Sequence, residues 1–296
     1  MNSVFLQFNT DITMQTIIGY IFLICGAVWT AVLLWKLIPI CRKEKESGKS
    51  LGVMMVTEAV IFFIATMGLS DFVLNTIMFN RFKSADTSRL PGTLLVSCLV
   101  PGTVMAYTYL QNAQAIDTAT LVLCAGGMLV GALIGGKFVV GMDGKVIKKI
   151  LGFALIFSMG ALILKMVVSS GVSGTKTGFS GAMLIAAGLL SLACGMLNML
   201  GVPCKPTLTA AFLLMGLSPM CTLTLTLVMC GITPVGAAIR FFRSGMYHKK
   251  TALAATTAGT AAAIAGCMVM ISLPAMVLNV LLLTVMLVAI ITTFKK

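Results

Sequence analysis

Lys205 stands beside Cys204, between Pro203 and Pro206, in the stretch GMLNMLGVPCKPTLTA that runs from residue 195 to 210. Its surroundings are apolar, and an ionisable group at membrane depth is disfavoured by about 2.5 to 3.5 kcal/mol on insertion scales. The charge therefore needs a negative partner or a route to water. One candidate is Asp71, in GLSDFVLNT (68 to 76), where Ser70, Asn75 and Thr76 add further polar groups. Another is an anionic substrate, held by the ammonium together with helix N-termini exposed at the same place. A third possibility needs no partner, with the lysine reaching to the outer interface.

Around these two charges Asn198, Thr207 and Thr209 supply amide and hydroxyl groups. Cys204 could meet a sulfur substrate or simply pack. Glu58 could relay protons with Asp71, or sit as a hydrogen-bonded acid near the cytoplasmic interface. His248, the one histidine, lies in the basic stretch RFFRSGMYHKK and is expected to face solvent or headgroups. The chain carries no Walker A loop, metal-ligand cluster, nucleophile elbow or paired carboxylates. No enzyme activity, cofactor or metal is expected.

The elements that hold these residues must be membrane helices. The 296 residues are 59% hydrophobic and 10% charged, with a mean hydropathy of +1.06, so the bilayer is the solvent. The net charge of +13 comes mostly from Lys and Arg in short loops, a pattern that sets orientation and does not call for nucleic acid. Nine cysteines fall mainly inside apolar runs, where they pack as small hydrophobes.

Runs near the length needed to cross occur at about 16 to 36, 91 to 110, 116 to 141, 146 to 168, 219 to 239, 251 to 271 and 275 to 294. Two longer runs, 51 to 79 and 178 to 216, are interrupted by polar, Gly or Pro residues. Keeping the basic loops on one side requires each of them to enter, break and turn back. The predicted protein is an all-α polytopic membrane protein. Residues 1 to 50 hold a transmembrane helix and a basic cytoplasmic loop; residues 51 to 168 and 178 to 295 form two inverted repeats, each a re-entrant hairpin and three spans. The N-terminus is predicted outside and the C-terminus in the cytoplasm.

Local echoes pair the halves: CLVPG (98 to 102) with CGITPVG (230 to 236), and the Gly127, Gly131, Gly135 helix with the Ala/Gly run from Ala252 to Gly266. MGLS occurs twice, at 67 to 70 and 215 to 218, at places that do not correspond. Inverted repeats with broken helices place substrate where the breaks meet. The substrate-binding candidates are therefore Ser70, Asp71, Asn75, Thr76, Asn198, Cys204, Lys205 and Thr207, with Pro101 and Pro234 in the helices after the hairpins. Asp71 and Glu58 are the candidates for proton coupling.

The stretches GMLNMLGVPCKPTLTAAFLLMGLSP and PVGAAIRFFRSGMYHKKTALAATTAGT resemble the sulfite-exporter (TauE/SafE) family, and DFVLNTIMFNRFKSADTSRLPGTLL resembles the matching element of its other repeat. The resemblance covers most of the chain from about residue 51. It implies a bacterial inner-membrane permease for small sulfur oxyanions, organosulfonates or carboxylates, coupled to a proton or sodium ion or running by a facilitated route. Where family members carry a glycine-rich turn at the first break, this chain has FVLNT. Side chains of Asn75 and Thr76 would then line that half of the site in place of bare amides.

Overall fold

The computed structural model describes residues 2–43, 50–82, 89–112, 116–139, 160 and 174–272, except 200, 201 and 203. In chain order the helices are α1 (Asn2–Lys43), α2 (Leu51–Ala65), α3 (Asp71–Phe82), α4 (Leu90–Asn112), α5 (Thr118–Val139), α6 (Gly181–Asn198), α7 (Lys205–Leu214), α8 (Pro219–Ser244), α9 (Lys249–Ala254) and α10 (Thr260–Ser272). A π turn, Ala255–Gly259, joins the last two into one rod. Six of these rods are long and apolar enough to cross a bilayer, which makes the chain an all-α, multi-pass membrane protein. The expected spans at 146 to 168 and 275 to 294 lie outside the described residues.

Both interrupted runs double back. In the first, Asn75 Nδ2 donates to Glu58 Oε2 at 3.5 Å, and Met54 lies beside Met78 and Phe79. Residues equally far from the turn are therefore neighbours, so α2 and α3 run antiparallel. With 15 residues, α2 is about 22 Å long, too short for a hydrocarbon core of about 30 Å. In the second, Lys176 N donates to Gly216 O at 3.2 Å and Ser218 N to Lys176 O at 2.8 Å. The segment between them starts and finishes at one end of the bundle.

The repeated tetrapeptide MGLS makes the same link in two places. Gly68 and Gly216 adopt φ of +87° and +89°, a left-handed conformation that glycine takes without strain. Gly68 N closes on Ala65 O at 3.1 Å and Gly216 N on Leu213 O at 2.9 Å. Each then leads through Leu to a Ser that precedes a new helix, and Ser218 caps α8 by accepting from Cys221 N at 3.3 Å. The tetrapeptide is a helix stop and restart.

The bundle has two chemically different ends. At one, His248 N donates to Thr93 Oγ1 at 2.9 Å and Lys36 sits 4.8 Å over the Phe242 ring; Arg89, Arg240, Arg243, Lys249 and Lys250 cluster here. At the other, Ile116 N donates to Gln15 Oε1 at 3.1 Å and Asp117 N to Thr177 O at 3.0 Å, with Lys176 nearby. His248 corrects its expectation: it is 2% exposed, caps α9 and packs edge-on to Phe79. A histidine whose Nδ1 lies 2.7 Å from Thr251 Oγ1 serves the helix start, while its neighbours Lys249 and Lys250 are half-buried.

Small residues set the closest packing. Gly131 of α5 meets the Leu192 carbonyl of α6 with no room for a Cβ, and Gly135 meets Met196 in the same way. On the other side of the bundle Gly259 rests on Phe62, and Gly266 on Thr66, so the α9–α10 rod packs along α2. Each hairpin's first helix is thus held by a helix from the other half of the chain. Between these pairs α4 and α8 cross with Gly102 against Gly231. Aligning Ala65 with Asn198, the last residues of α2 and α6, also aligns Pro101 with Pro234, each inside a long helix, and Thr118, the first residue of α5, with Thr251 in the first turn of α9.

Candidate functional site

The tips of the two hairpins meet. Asp71 is the first residue of α3 and Lys205 the first residue of α7, so each begins the second, shorter helix of its hairpin. Lys205 Nζ lies 3.7 Å from Asp71 Oδ1, with side chains only 2% and 4% exposed. It donates a hydrogen bond of 3.1 Å to the Leu69 carbonyl. Reach to the outer interface is excluded, because the ammonium is spent inside the protein on the opposite hairpin.

These charges border a cavity lined by Ser70, Asp71, Phe72, Cys98, Asn198, Cys204, Lys205 and Cys230. There is room for about one water molecule. Asp71 Oδ2 and Asn198 Oδ1 are buried there and have no hydrogen-bond partner among the described residues. A carboxylate matched by one lysine at 3.7 Å, outside hydrogen-bond distance, is loosely paired. The N-termini of α3 and α7 both end at the cavity and add positive field from unpaired amides. One lysine and two helix ends thus face one carboxylate at the cavity.

Not all candidates converge. Ser70, Asp71, Asn198, Cys204 and Lys205 line one cavity. Asn75 turns the other way, toward Glu58, and the two line a second small space. Thr76 is absent from the cavity wall because its hydroxyl donates to Phe72 O at 2.7 Å within its own helix; Thr209 does the same to Lys205 O at 2.8 Å. Thr207 is half-buried with its hydroxyl unpartnered, off the cavity wall. The expectation that Asn75 and Thr76 line this half of the site is therefore corrected. Helical periodicity puts positions 75 and 76 one turn below the tip, beyond the cavity.

Pro101 and Pro234 are buried inside α4 and α8 and do not touch the cavity. Their effect is through the backbone: a proline cannot donate to the carbonyl four residues earlier, which frees the carbonyls of Ser97 and Cys230. Cys230 is itself a lining residue, and Cys98 follows Ser97. These two cysteines were missed as site residues. The signal was present, since each opens one of the proline-containing echoes, CLVPG and CGITPVG. Cys204 Sγ bonds to the Cys194 carbonyl at 3.2 Å and so holds the second tip closed. The described residues contain no group of three or more His, Cys, Asp or Glu placed to hold a metal.

No family model, curated protein or solved structure matches the chain. The site must therefore be interpreted from its own geometry.

Proposed function

We propose that the chain is a secondary transporter of small anions, with Lys205 as the anion's positive partner. The observation that carries this is the meeting of two broken helices around a buried lysine that its one acid neighbour matches only loosely. Opposed breaks of this kind are where carriers bind substrate. The two units, 51 to 168 and 178 to 295, are inverted repeats in this reading, each with a re-entrant hairpin. The match of Pro101 with Pro234, and of the start of α5 with the first turn of α9, on aligning Ala65 with Asn198 supports it, as does the exchange of hairpin partners between halves.

With space for one water, this state is closed to substrate. Binding requires the hairpins to part, first toward one end and then the other, while Asp71 releases Lys205 to the incoming anion. A channel would need a continuous polar path; the enclosed cavity between apolar helices favours a carrier. In this reading the basic end belongs to the cytoplasm, the N-terminus lies outside, and the membrane is the bacterial inner membrane that the family resemblance implies. The three cavity thiols, from Cys98, Cys204 and Cys230, are soft and weakly donating. They suit sulfite or a sulfonate, in keeping with the resemblance to the sulfite-exporter family.

The test is thermal stabilisation of the purified protein across a panel of sulfite, sulfonates, sulfate and small carboxylates. Bound ligand at 100 times its Kd stabilises by about 2.7 kcal/mol. A selective rise in Tm with one sulfur oxyanion, lost in Lys205→Met, is expected. No rise with any anion would defeat the proposal.

A further inference from the structure

Outside the central cavity, one ionisable group lies deep in the protein with little to neutralise it. Glu58, in the middle of α2, is 1% exposed, and its hydrogen bond is a long one, 3.5 Å, from Asn75. It lines a space for about one water molecule, together with Met54, Thr57, Met78, Phe79 and Thr251. This space lies near the basic end. Thr251 belongs to the first turn of α9, which His248 caps, and the His248 ring stands edge-on to Phe79 at 6.4 Å.

The charged groups around Glu58 can be named element by element. From α3 come Asp71, whose charge acts on it, and Arg81, nearly two turns beyond Asn75; at the start of α9 stand its cap His248 and, beyond it, Lys249 and Lys250. The π turn, α10 and α4 carry no acidic or basic residue. Among the described side chains, none brings an ammonium or guanidinium against this carboxylate. A metal ion would want several hard oxygens, whereas two thioethers and a phenyl ring form much of this wall. A buried carboxylate without a cation is neutralised by taking a proton.

We propose that Glu58 is a proton-binding site, loaded from the basic end past His248, and that its proton moves with the anion. The second half rests on the transporter reading. The proton adds to a carboxylate oxygen and leaves from the same oxygen, so the cycle is balanced by one proton taken up and one released. Coupling follows from sign. Asn75 lies one turn beyond Asp71 on α3, and the charge on Glu58 repels that on Asp71. Neutralising Glu58 removes a negative charge that opposes anion binding at Lys205, so proton and anion favour one another and travel together.

Two measurements test this. Infrared difference spectra of the purified full chain in lipid, recorded as pH is varied, are expected to show the carbonyl stretch of one protonated carboxyl. It should vanish in Glu58→Gln, persist in Asp71→Asn, and shift in frequency in Asn75→Leu, which removes the hydrogen-bond donor. A band that survives in Glu58→Gln, or that answers to sodium at fixed pH and not to pH, overturns the assignment. In vesicles, one pH unit of gradient corresponds to about tenfold extra accumulation per coupled proton. Wild type should show that gain with sulfite, while Glu58→Gln should keep sulfite exchange and gain less than about twofold. Equal gains in both would refute the coupling. A wild type that moves no sulfite defeats the transport reading instead, and the infrared band still decides the proton site.

Discussion

Replacing Lys205 by Met keeps the length of the side chain and deletes its charge. Asp71 would then remain buried, 3% exposed, with Oδ2 already lacking a partner and Oδ1 losing the ammonium at 3.7 Å. Breaking a buried pair by removing one member is destabilising by about 3 to 5 kcal/mol. At about 2 to 4 °C per kcal/mol for a domain of 150 to 250 residues, Tm should fall by roughly 6 to 20 °C. Asp71→Asn alone leaves Lys205 with only the Leu69 carbonyl and should also destabilise. The double variant removes both charges and should return to within about 1 kcal/mol of wild type. Unfolding can be followed with a thiol-reactive dye, because Cys98, Cys124, Cys194, Cys204, Cys221, Cys230 and Cys267 are buried in the folded chain. A single Lys205→Met variant melting within about 2 °C of wild type would refute the reasoning, since it would mean that the pair is solvated.

Two further predictions concern the frame. With the basic end in the cytoplasm, Asn112→Cys should react with an impermeant maleimide on whole cells and Arg243→Cys should not; both positions are exposed, at opposite ends of the bundle. The reverse result would invert the topology. In α5, Gly131→Ala drives a Cβ into the Leu192 carbonyl, whereas Gly126→Ala meets nothing within 4 Å. The first should lose about 1 to 3 kcal/mol and the second should be neutral or slightly stabilising, measured as Tm; equal effects would rule out the close α5–α6 seam.

How much was legible in advance follows from which forces act locally. Long apolar runs gave the spans that lie within the described residues, and the loop charges forced both runs at 51 to 79 and 178 to 216 to turn back, because a wrong parity would strand Arg81, Arg89 or Arg243 on the far side. Asp71 and Lys205 stood out since a charge in lipid must be explained. What sequence could not give was depth along a helix. Asn75 and Thr76 looked like tip residues, yet a single turn of α3 carries them past the cavity. Cys98 and Cys230 looked like packing cysteines, and only the crossing of α4 and α8 brings them to Lys205. His248 looked solvated because its neighbours are basic, but its capping role depends on Thr93, 155 positions away in the chain. The two MGLS copies share a turn conformation that was invisible without backbone angles.

The most direct test of Lys205 as the anion's partner is uptake of radiolabelled sulfite into vesicles containing the wild-type protein or the Lys205→Met, Asp71→Asn double variant. The double variant is folded by the stability argument above, so its transport reports on the loss of the Lys205–Asp71 charges and not on unfolding. Saturable uptake in wild type with background uptake in the double variant is the predicted result. Full uptake in the double variant would contradict it and leave Lys205 and Asp71 as a structural clasp between the hairpins.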